Sequence, residues 1–161
     1  MKRISLFLIA FFVFVGCEES GNESGVNTCE ILGRIFDENT NKLTLCHLNL
    51  HELPDCIGNL ANLKELDLRN NQLTTLPEII GNLTKLEWLD LSRNQLTTLP
   101  ESFGNMTNLK WLDLKFNDLS ELPESISNLN NMEWMYLCGN NFSDTEIIKI
   151  ESMLPNCTIY W

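Results

Sequence analysis

Leucines and a leucine-proline pair recur at one fixed interval along most of this chain. Four of the prolines that follow a leucine stand at positions 54, 77, 100 and 123, so the interval between them is 23 residues each time. The unit from Leu63 to Leu76 returns 23 and 46 residues later, and a weaker copy includes Met132, Met135, Leu137, Asn140 and Phe142. Self-similarity with a period of about 20–50 residues is typical of a solenoid, in which one supersecondary unit is stacked on the next.

Each unit combines a short strand with a looser return segment. Residues 66–68 (Leu-Asp-Leu) alternate between apolar and polar, which is typical of a strand with one buried face. Asn71 ends the strand, and Pro77 begins the return segment. Because no unit can bury its leucines alone, we expect the strands to align in a parallel sheet over a shared leucine core.

Both ends depart from the repeat, as capping units do. The unit that begins near Thr40 has Leu48 at the asparagine position, and an apolar stripe at helical spacing precedes it: Ile31, Leu32, Ile35 and Phe36. At the other end, Ser143-x-x-Glu146 is a capping box that predicts a helix through about Met153. A final strand is predicted by the spacing of Leu154, Cys157 and Ile159.

The consensus of the unit resembles a known family. Residues 63–83 read Leu-x-x-Leu-x-Leu-x-x-Asn-x-Leu-x-x-Leu-Pro-x-x-Ile-Gly-Asn-Leu, which resembles the leucine-rich repeat family in its 23-residue form, over about residues 40–154. The resemblance implies an α/β solenoid. This is an arc with a short parallel sheet on its concave face, an irregular or helical N-terminal cap, and a C-terminal capping helix with a final strand.

The resemblance also implies structural asparagines that form an internal hydrogen-bonded ladder, at Asn71, Asn94, Asn117 and Asn140. The leucine-rich-repeat domain then covers residues 29–161, with an N-terminal cap over 29–39, repeats over about 40–142 and a C-terminal cap over 143–161.

The start of the chain differs in character from the repeats. Lys2 and Arg3 precede an apolar run from Ile4 to Val15, and these 12 residues are too few to cross a hydrocarbon core that needs about 20. A basic start followed by a short apolar run predicts a secretory signal peptide over residues 1–16.

The residues after this run carry an anchoring motif. Phe14-Val15-Gly16-Cys17 resembles the lipobox of bacterial lipoproteins, although Phe14 replaces the usual leucine. The resemblance implies that Cys17 is lipid-modified and becomes the new N-terminus, which anchors the protein to a membrane. The alternative is an ordinary cleaved signal peptide followed by an incidental cysteine.

Residues 17–28 are predicted to form a flexible tether, because residues 18–25 are polar, glycine-rich and acidic. Acidic residues directly after the cysteine also resemble the surface-export signals of some Gram-negative lipoproteins. We therefore expect a lipoprotein of the bacterial cell envelope, held in the outer membrane and exposed on the cell surface.

The net charge excludes one class of partner. Eleven Lys and Arg residues stand against 22 Asp and Glu residues, which gives a net charge of −11. Affinity for nucleic acid rests largely on contacts of Lys and Arg with phosphates, so nucleic acid is not expected as a partner.

The six cysteines bear on redox chemistry. If Cys17 carries lipid, five remain, and an odd number leaves at least one unpaired. Disulfides persist in exported proteins, and we expect a bridge between Cys29 and Cys46 in preference to one between Cys29 and Cys56. Cys157 occupies a leucine position and is expected to be a small free hydrophobe. Neither histidine forms a clean ligand pattern with the cysteines, so no metal site is expected.

The register of the strands predicts three rows of exposed side chains on the concave face. The first row is Glu65, Trp88, Trp111 and Trp134. The second row is Asp67, Asp90, Asp113 and Tyr136. The third row is Arg69, Ser92, Lys115 and Cys138. Strands lie about 4.8 Å apart in a sheet, so the three tryptophans are predicted to form a continuous ladder beside a row of carboxylates.

Exposed aromatic side chains on a rigid face are typical of binding hot spots, which predicts a protein or glycan partner bound through the first two rows. Two less specific interpretations stay open: the aspartates are common in the family as solvated surface, and stacked tryptophans can serve only to stabilise the sheet.

Catalysis is not expected. Asp67, Asp90 and Asp113 have the spacing of glycosidase carboxylates, roughly 5–10 Å, but nothing in the sequence indicates a deep pocket that would raise one pKa. We therefore expect neither an enzyme nor a cofactor. The predicted function is an envelope-anchored binding module, and the alternative is a structural envelope lipoprotein with no dedicated ligand.

Overall fold

A computed structural model describes residues 28–161. The expectations for residues 1–27, which include the signal peptide, the lipid-modified Cys17 and nearly all of the tether, lie outside the described residues. Thr28, expected at the end of the tether, is the first residue of a strand.

The N-terminal cap is an antiparallel hairpin of β1 (Thr28–Ile31) and β2 (Arg34–Asp37). The expectation of a helical stripe here was wrong. Leu32 (φ 52°) and Gly33 (φ 72°) form the turn, and two consecutive residues with positive φ suit a tight hairpin. Alternation along a strand then turns Ile35 outwards, where 71% of its surface is exposed.

The disulfide at this end joins Cys29 to Cys56, whose Cα atoms are 4.9 Å apart. The expected bridge between Cys29 and Cys46 was therefore wrong. Cys29 lies on the buried side of β1, with 1% of its surface exposed, and Cys56 lies in the return turn that packs beside β1. Cys46 lies two residues after the strand Lys42–Thr44, in the same register as Arg69 and on the sheet side of the unit. It has a free thiol.

Six short strands form one parallel sheet in chain order. They are β3 (Lys42–Thr44), β4 (Glu65–Asp67), β5 (Trp88–Asp90), β6 (Trp111–Asp113), β7 (Trp134–Tyr136) and β8 (Thr158–Tyr160). From β3 to β7, each residue pairs with the residue 23 positions further along, for example Leu66 with Leu89. The predicted solenoid with a short parallel sheet is confirmed.

The central residue of each inner strand lies in the core. Leu66, Leu89, Leu112 and Met135 have no exposed surface. Full burial of such a side chain contributes about 1.5–3 kcal/mol, so the stacked leucines are the main source of stability.

The return segments are 3₁₀ helices, at Asp55–Asn59, Glu78–Asn82, Glu101–Asn105 and Glu124–Asn128. Each follows a proline with a φ between −61° and −70°, which fixes the entry of the chain into the turn. Gly81 allows close stacking of these turns, because a Cβ atom there would overlap the backbone carbonyl of Ser102.

The ladder asparagines are structural, as predicted. The amide of Asn94 donates to the carbonyls of Leu68 (3.1 Å) and Leu91 (3.0 Å), and its oxygen accepts from the backbone N–H of Leu73 (3.1 Å). Asn71, Asn117 and Asn140 make the same kind of contacts. Each asparagine therefore satisfies backbone groups that the bend of its unit leaves unpaired.

The C-terminal cap matches its prediction. Helix α1 (Asp144–Met153) begins after Ser143, whose hydroxyl accepts from the backbone N–H of Glu146 at 3.2 Å. Ile150 and Leu154 are buried against the end of the leucine core. Within residues 28–161, no helix combines the length and the apolar character needed to span a membrane.

Candidate functional site on the concave face

The concave face is the side of the sheet opposite the leucine core. Strand pairing places its first row in register as Lys42, Glu65, Trp88, Trp111, Trp134 and Thr158. The second row is Thr44, Asp67, Asp90, Asp113, Tyr136 and Tyr160. The rows divide the face into a polar half on β3 and β4 and an aromatic half on β5 to β8.

The aromatic half contains a continuous row of four rings, which we call the aromatic row: Trp88, Trp111, Tyr136 and Tyr160. Trp88 and Trp111 stack with ring centroids 4.6 Å apart and planes 8° from parallel. Trp111 then meets Tyr136 at 5.5 Å and 49°, and Tyr136 stacks on Tyr160 at 4.6 Å and 6°. The aromatic row therefore starts in the first row of the sheet, on β5 and β6, and continues in the second row, on β7 and β8.

This course corrects the predicted ladder of three tryptophans. Among the described residues, the ring contacts continue from Trp111 to Tyr136 rather than to Trp134, which lies in the first row with 42% of its surface exposed. On β7 a tyrosine replaces the aspartate of the second row, and its ring is large enough to reach Trp111. The ammonium of Lys115 lies 5.0 Å from the centre of that tyrosine ring.

The three aspartates are not the solvated carboxylates that the sequence led us to expect. Asp67, Asp90 and Asp113 have 8%, 4% and 4% of their surface exposed. Each carboxylate accepts the backbone N–H of the residue two positions further, at 3.2, 2.9 and 2.9 Å. They therefore brace the ends of the strands, and burial raises the pKa of Asp113.

Each of these carboxylates also has a side-chain partner. Asp67 pairs with the Nε of Arg69 at 3.4 Å, and Asp113 pairs with the Nζ of Lys115 at 2.9 Å. Asp90 accepts from the hydroxyl of Ser92 at 2.6 Å. The partners come from the third row, so they cover the aspartates on the concave face.

Sequence reasoning missed two residues beside this face. The residue before each ladder asparagine has a left-handed backbone, at Asn70 (φ 55°), Arg93 (φ 56°), Phe116 (φ 55°) and Gly139 (φ 74°). Asparagine and glycine tolerate that conformation, whereas arginine and phenylalanine rarely adopt it. The Arg93 guanidinium lies 4.7 Å from the centre of the Phe116 ring. The sequence did contain a signal for this backbone conformation. The positions equivalent to Arg93 and Phe116 in the neighbouring repeats are Asn70 and Gly139, and these two residue types favour a positive φ.

A recess of about 570 Å³ lies in the polar half, against Trp88. Its lining residues come from β3, β4 and their extensions: Lys42, Leu43, Thr44, Glu65, Asp67 and Arg69. Within the described residues, no group of three or more His, Cys, Asp or Glu side chains is placed to hold a metal ion.

Comparison with protein families identifies the repeats. The family described as leucine-rich repeat region matches residues 39–110, and the family described as leucine rich repeat matches residues 98–142. This chain belongs to the leucine-rich repeat family. Proteins of this family generally bind other proteins and are typically non-enzymatic scaffolds.

Solved structures include similar folds. A leucine-rich repeat protein of Leptospira interrogans is 38% identical, with a TM-score of 0.74 over 75% of this chain. An internalin of Listeria monocytogenes is 24% identical, with a TM-score of 0.59 over 68% of this chain, and this likeness shows the fold alone. The alignment spans 31% of the length of each of these two proteins. A search of the curated proteins finds no match.

Proposed function

We propose that this chain is a binding module that recognises a protein partner through its concave face, with the aromatic row at the centre of the contact. The observation that carries the proposal is the row of partly exposed rings on a rigid sheet. Aromatic side chains dominate the energy of protein interfaces because they bury a large area and lose little conformational freedom.

The packing of the rings favours a protein over a glycan, which the sequence left as an equal alternative. A sugar packs its C–H face flat against the face of an aromatic ring. In this row Trp88 and Trp111 turn one face towards each other, and Tyr136 and Tyr160 do the same. Away from its end at Trp88, the row therefore offers mainly ring edges, which suit apolar and carbonyl groups of a protein surface.

We also propose that the module is attached to the bacterial cell envelope through lipid on Cys17 and projects from the outer membrane to the cell surface. The support is the lipobox-like Phe14-Val15-Gly16-Cys17 and the acidic, glycine-rich segment behind it. Mass spectrometry of the mature N-terminus should find acyl chains on Cys17. Protease added to intact cells should remove the domain. An unprocessed N-terminus would contradict this part of the proposal.

The binding role is tested by capture of the partner from the envelope fraction of producing cells or from the surfaces that they contact. The test variant combines Trp111→Ala with Tyr136→Ala, and the control is Ile148→Ala, because Ile148 is apolar and 67% exposed but lies on α1. We expect a protein to be retained by the wild type and the control and lost from the double variant.

Treatment of the captured material separates the two chemical classes. Protease should abolish retention, whereas periodate oxidation of sugars should leave it intact. A double variant that changes only thermal stability would support the second candidate, a structural envelope lipoprotein in which the stacked rings stabilise the sheet by about 0.2–1 kcal/mol per pair.

A further inference from the structure

The aromatic row ends at Trp88, which is partly buried. Trp111 covers one face of this indole, with the ring planes 8° from parallel. The neighbour on the other side is β4, which places Glu65 in register with Trp88. Among the described residues, no second ring stacks on Trp88, and Trp88 and Glu65 both line the 570 Å³ recess.

Apart from Leu43, the other side chains of the recess are polar or charged. The Glu65 carboxylate is held by the Nζ of Lys42 at 2.5 Å, and both side chains are well exposed, at 47% and 65%. Asp67 is largely buried and is held by Arg69 at 3.4 Å. The recess therefore places an exposed carboxylate beside a partly exposed indole.

We propose that this recess binds an arginine side chain of the partner protein, with the guanidinium stacked on Trp88 and hydrogen-bonded to Glu65. This inference rests on the proposed function, since it names the chemistry that the partner presents to the same face. Arginine is favoured over lysine because its planar guanidinium stacks on a ring and donates to a carboxylate with two parallel N–H groups.

Charge favours a cationic occupant. The face of an indole is electron-rich, so it attracts cations and repels carboxylates. The chain carries a net charge of −11, which draws a basic partner surface over a longer range. Within the recess, Lys42 and Arg69 are paired with its two carboxylates, so the preference for a cation comes from the indole and from the net charge of the chain.

The occupant has to displace Lys42 from Glu65, and this exchange costs little. An exposed ion pair contributes only about 0–1 kcal/mol, because water solvates both partners well. Because arginine has to displace Lys42, the effect of removing Lys42 on binding has a predicted direction. Removal of Lys42 should strengthen the binding of arginine, whereas it should weaken the binding of an acidic side chain.

The experiment titrates N-acetyl-L-arginine amide into the full chain purified in detergent. The four indole N–H signals are followed by NMR, and the Trp88 signal is assigned with Trp88→Phe. N-acetyl-L-glutamine amide and N-acetyl-L-glutamate amide serve as neutral and acidic probes. We expect the arginine probe to shift the Trp88 signal with a saturating curve and the other two probes to leave it unchanged.

Variants then test each contact. Trp88→Ala, followed through the backbone signals of β4, should weaken binding about two- to thirtyfold, the range of a cation–π contact. Glu65→Gln keeps the size of the side chain and should weaken binding, and Lys42→Ala should strengthen it up to about fivefold. Trp134→Ala is the matched control and should leave the affinity unchanged. Trp134 is also a tryptophan of the first row, but it lies two strands away from Trp88 and outside the aromatic row.

Three outcomes would overturn the inference: no saturable shift of Trp88, tighter binding of the glutamate probe, or weaker binding of arginine by Lys42→Ala. These outcomes are distinct from a failure of the proposed function. If Trp111→Ala with Tyr136→Ala abolishes partner capture while arginine does not bind, the concave face binds a protein by other contacts. If arginine binds while no partner is captured, the recess stands and the proposed function falls.

Discussion

At the residue scale, buried polar side chains decide how each unit bends. The ladder asparagines satisfy backbone groups inside the turn, and the aspartates of the second row accept backbone N–H groups at the strand ends. A buried polar group that loses its partner is expensive, so these residues are fixed by the fold rather than by a ligand.

Asn94 provides a direct measure of this cost. Asn94→Ala leaves the Leu73 N–H without its partner in a buried turn, and it removes one of the two asparagine donors to the carbonyls of Leu68 and Leu91. We expect a loss of about 2–6 kcal/mol in the free energy of unfolding, since one unsatisfied buried group costs about 1–3 kcal/mol and each of the two lost hydrogen bonds about 0.5–1.5 kcal/mol. Urea denaturation measures it. Asn105→Ala, on an exposed asparagine of a return turn, is the control and should change stability by less than about 0.5 kcal/mol.

The raised pKa of Asp113 predicts the direction in which the stability of the protein changes with pH. Burial raises its pKa in the folded protein above the ordinary value of 3.8, so the native state holds this proton more tightly than the unfolded chain does. The group therefore lowers stability as pH rises from the ordinary pKa through the raised one. The difference in unfolding free energy between wild type and Asp113→Asn should shift in favour of the wild type as pH is lowered from 7 towards 4. A difference that is constant with pH, or that shifts the other way, would refute this assignment.

At the scale of the elements, the interior was far more predictable than its N-terminal end. The period of 23 residues fixed the strands and return turns, and the capping box fixed the start of α1. The hairpin was missed because Leu32, a residue that rarely takes a positive φ, occupies its turn. With that turn unseen, Cys56 in the return segment looked no better placed than Cys46.

The Cys29–Cys56 bridge ties this hairpin to the first return turn, across a sequence separation of 27 residues. Cys56→Ser should lower the free energy of unfolding by about 2–4 kcal/mol, because the bridge restricts the unfolded chain. Cys46→Ser, which removes a free thiol, should change it far less. Denaturation of both variants with and without dithiothreitol measures the effect, and equal losses in the two variants would contradict the pairing.

At the scale of the whole molecule, the sequence predicted the rows of the concave face but not the course of the rings across it. Strand register follows from the repeat, so Trp88, Trp111 and Trp134 share a row as expected. Which rings touch depends on side-chain direction, and the tyrosine at position 136 redirects the row towards β8. Tyr160 belongs to a strand outside the 23-residue period, so the repeat gave no reason to include it.

The leucine core runs without interruption from Cys29 to Leu154, so we expect the two caps to unfold together with the repeats. Ile150 and Ile148 offer a matched test on the same helix, because Ile150 is fully buried while Ile148 is 67% exposed. Ile150→Ala should cost about 2–5 kcal/mol, the range for truncation of a buried aliphatic side chain, and Ile148→Ala less than about 0.5 kcal/mol.

Tryptophan fluorescence reports mainly on the aromatic half of the sheet and circular dichroism on the whole backbone. If the core unfolds as one unit, both signals should fall in the same denaturant range in Ile150→Ala. If the helix signal is lost while the fluorescence transition stays at its wild-type position, the C-terminal cap unfolds on its own and does not hold the concave face together.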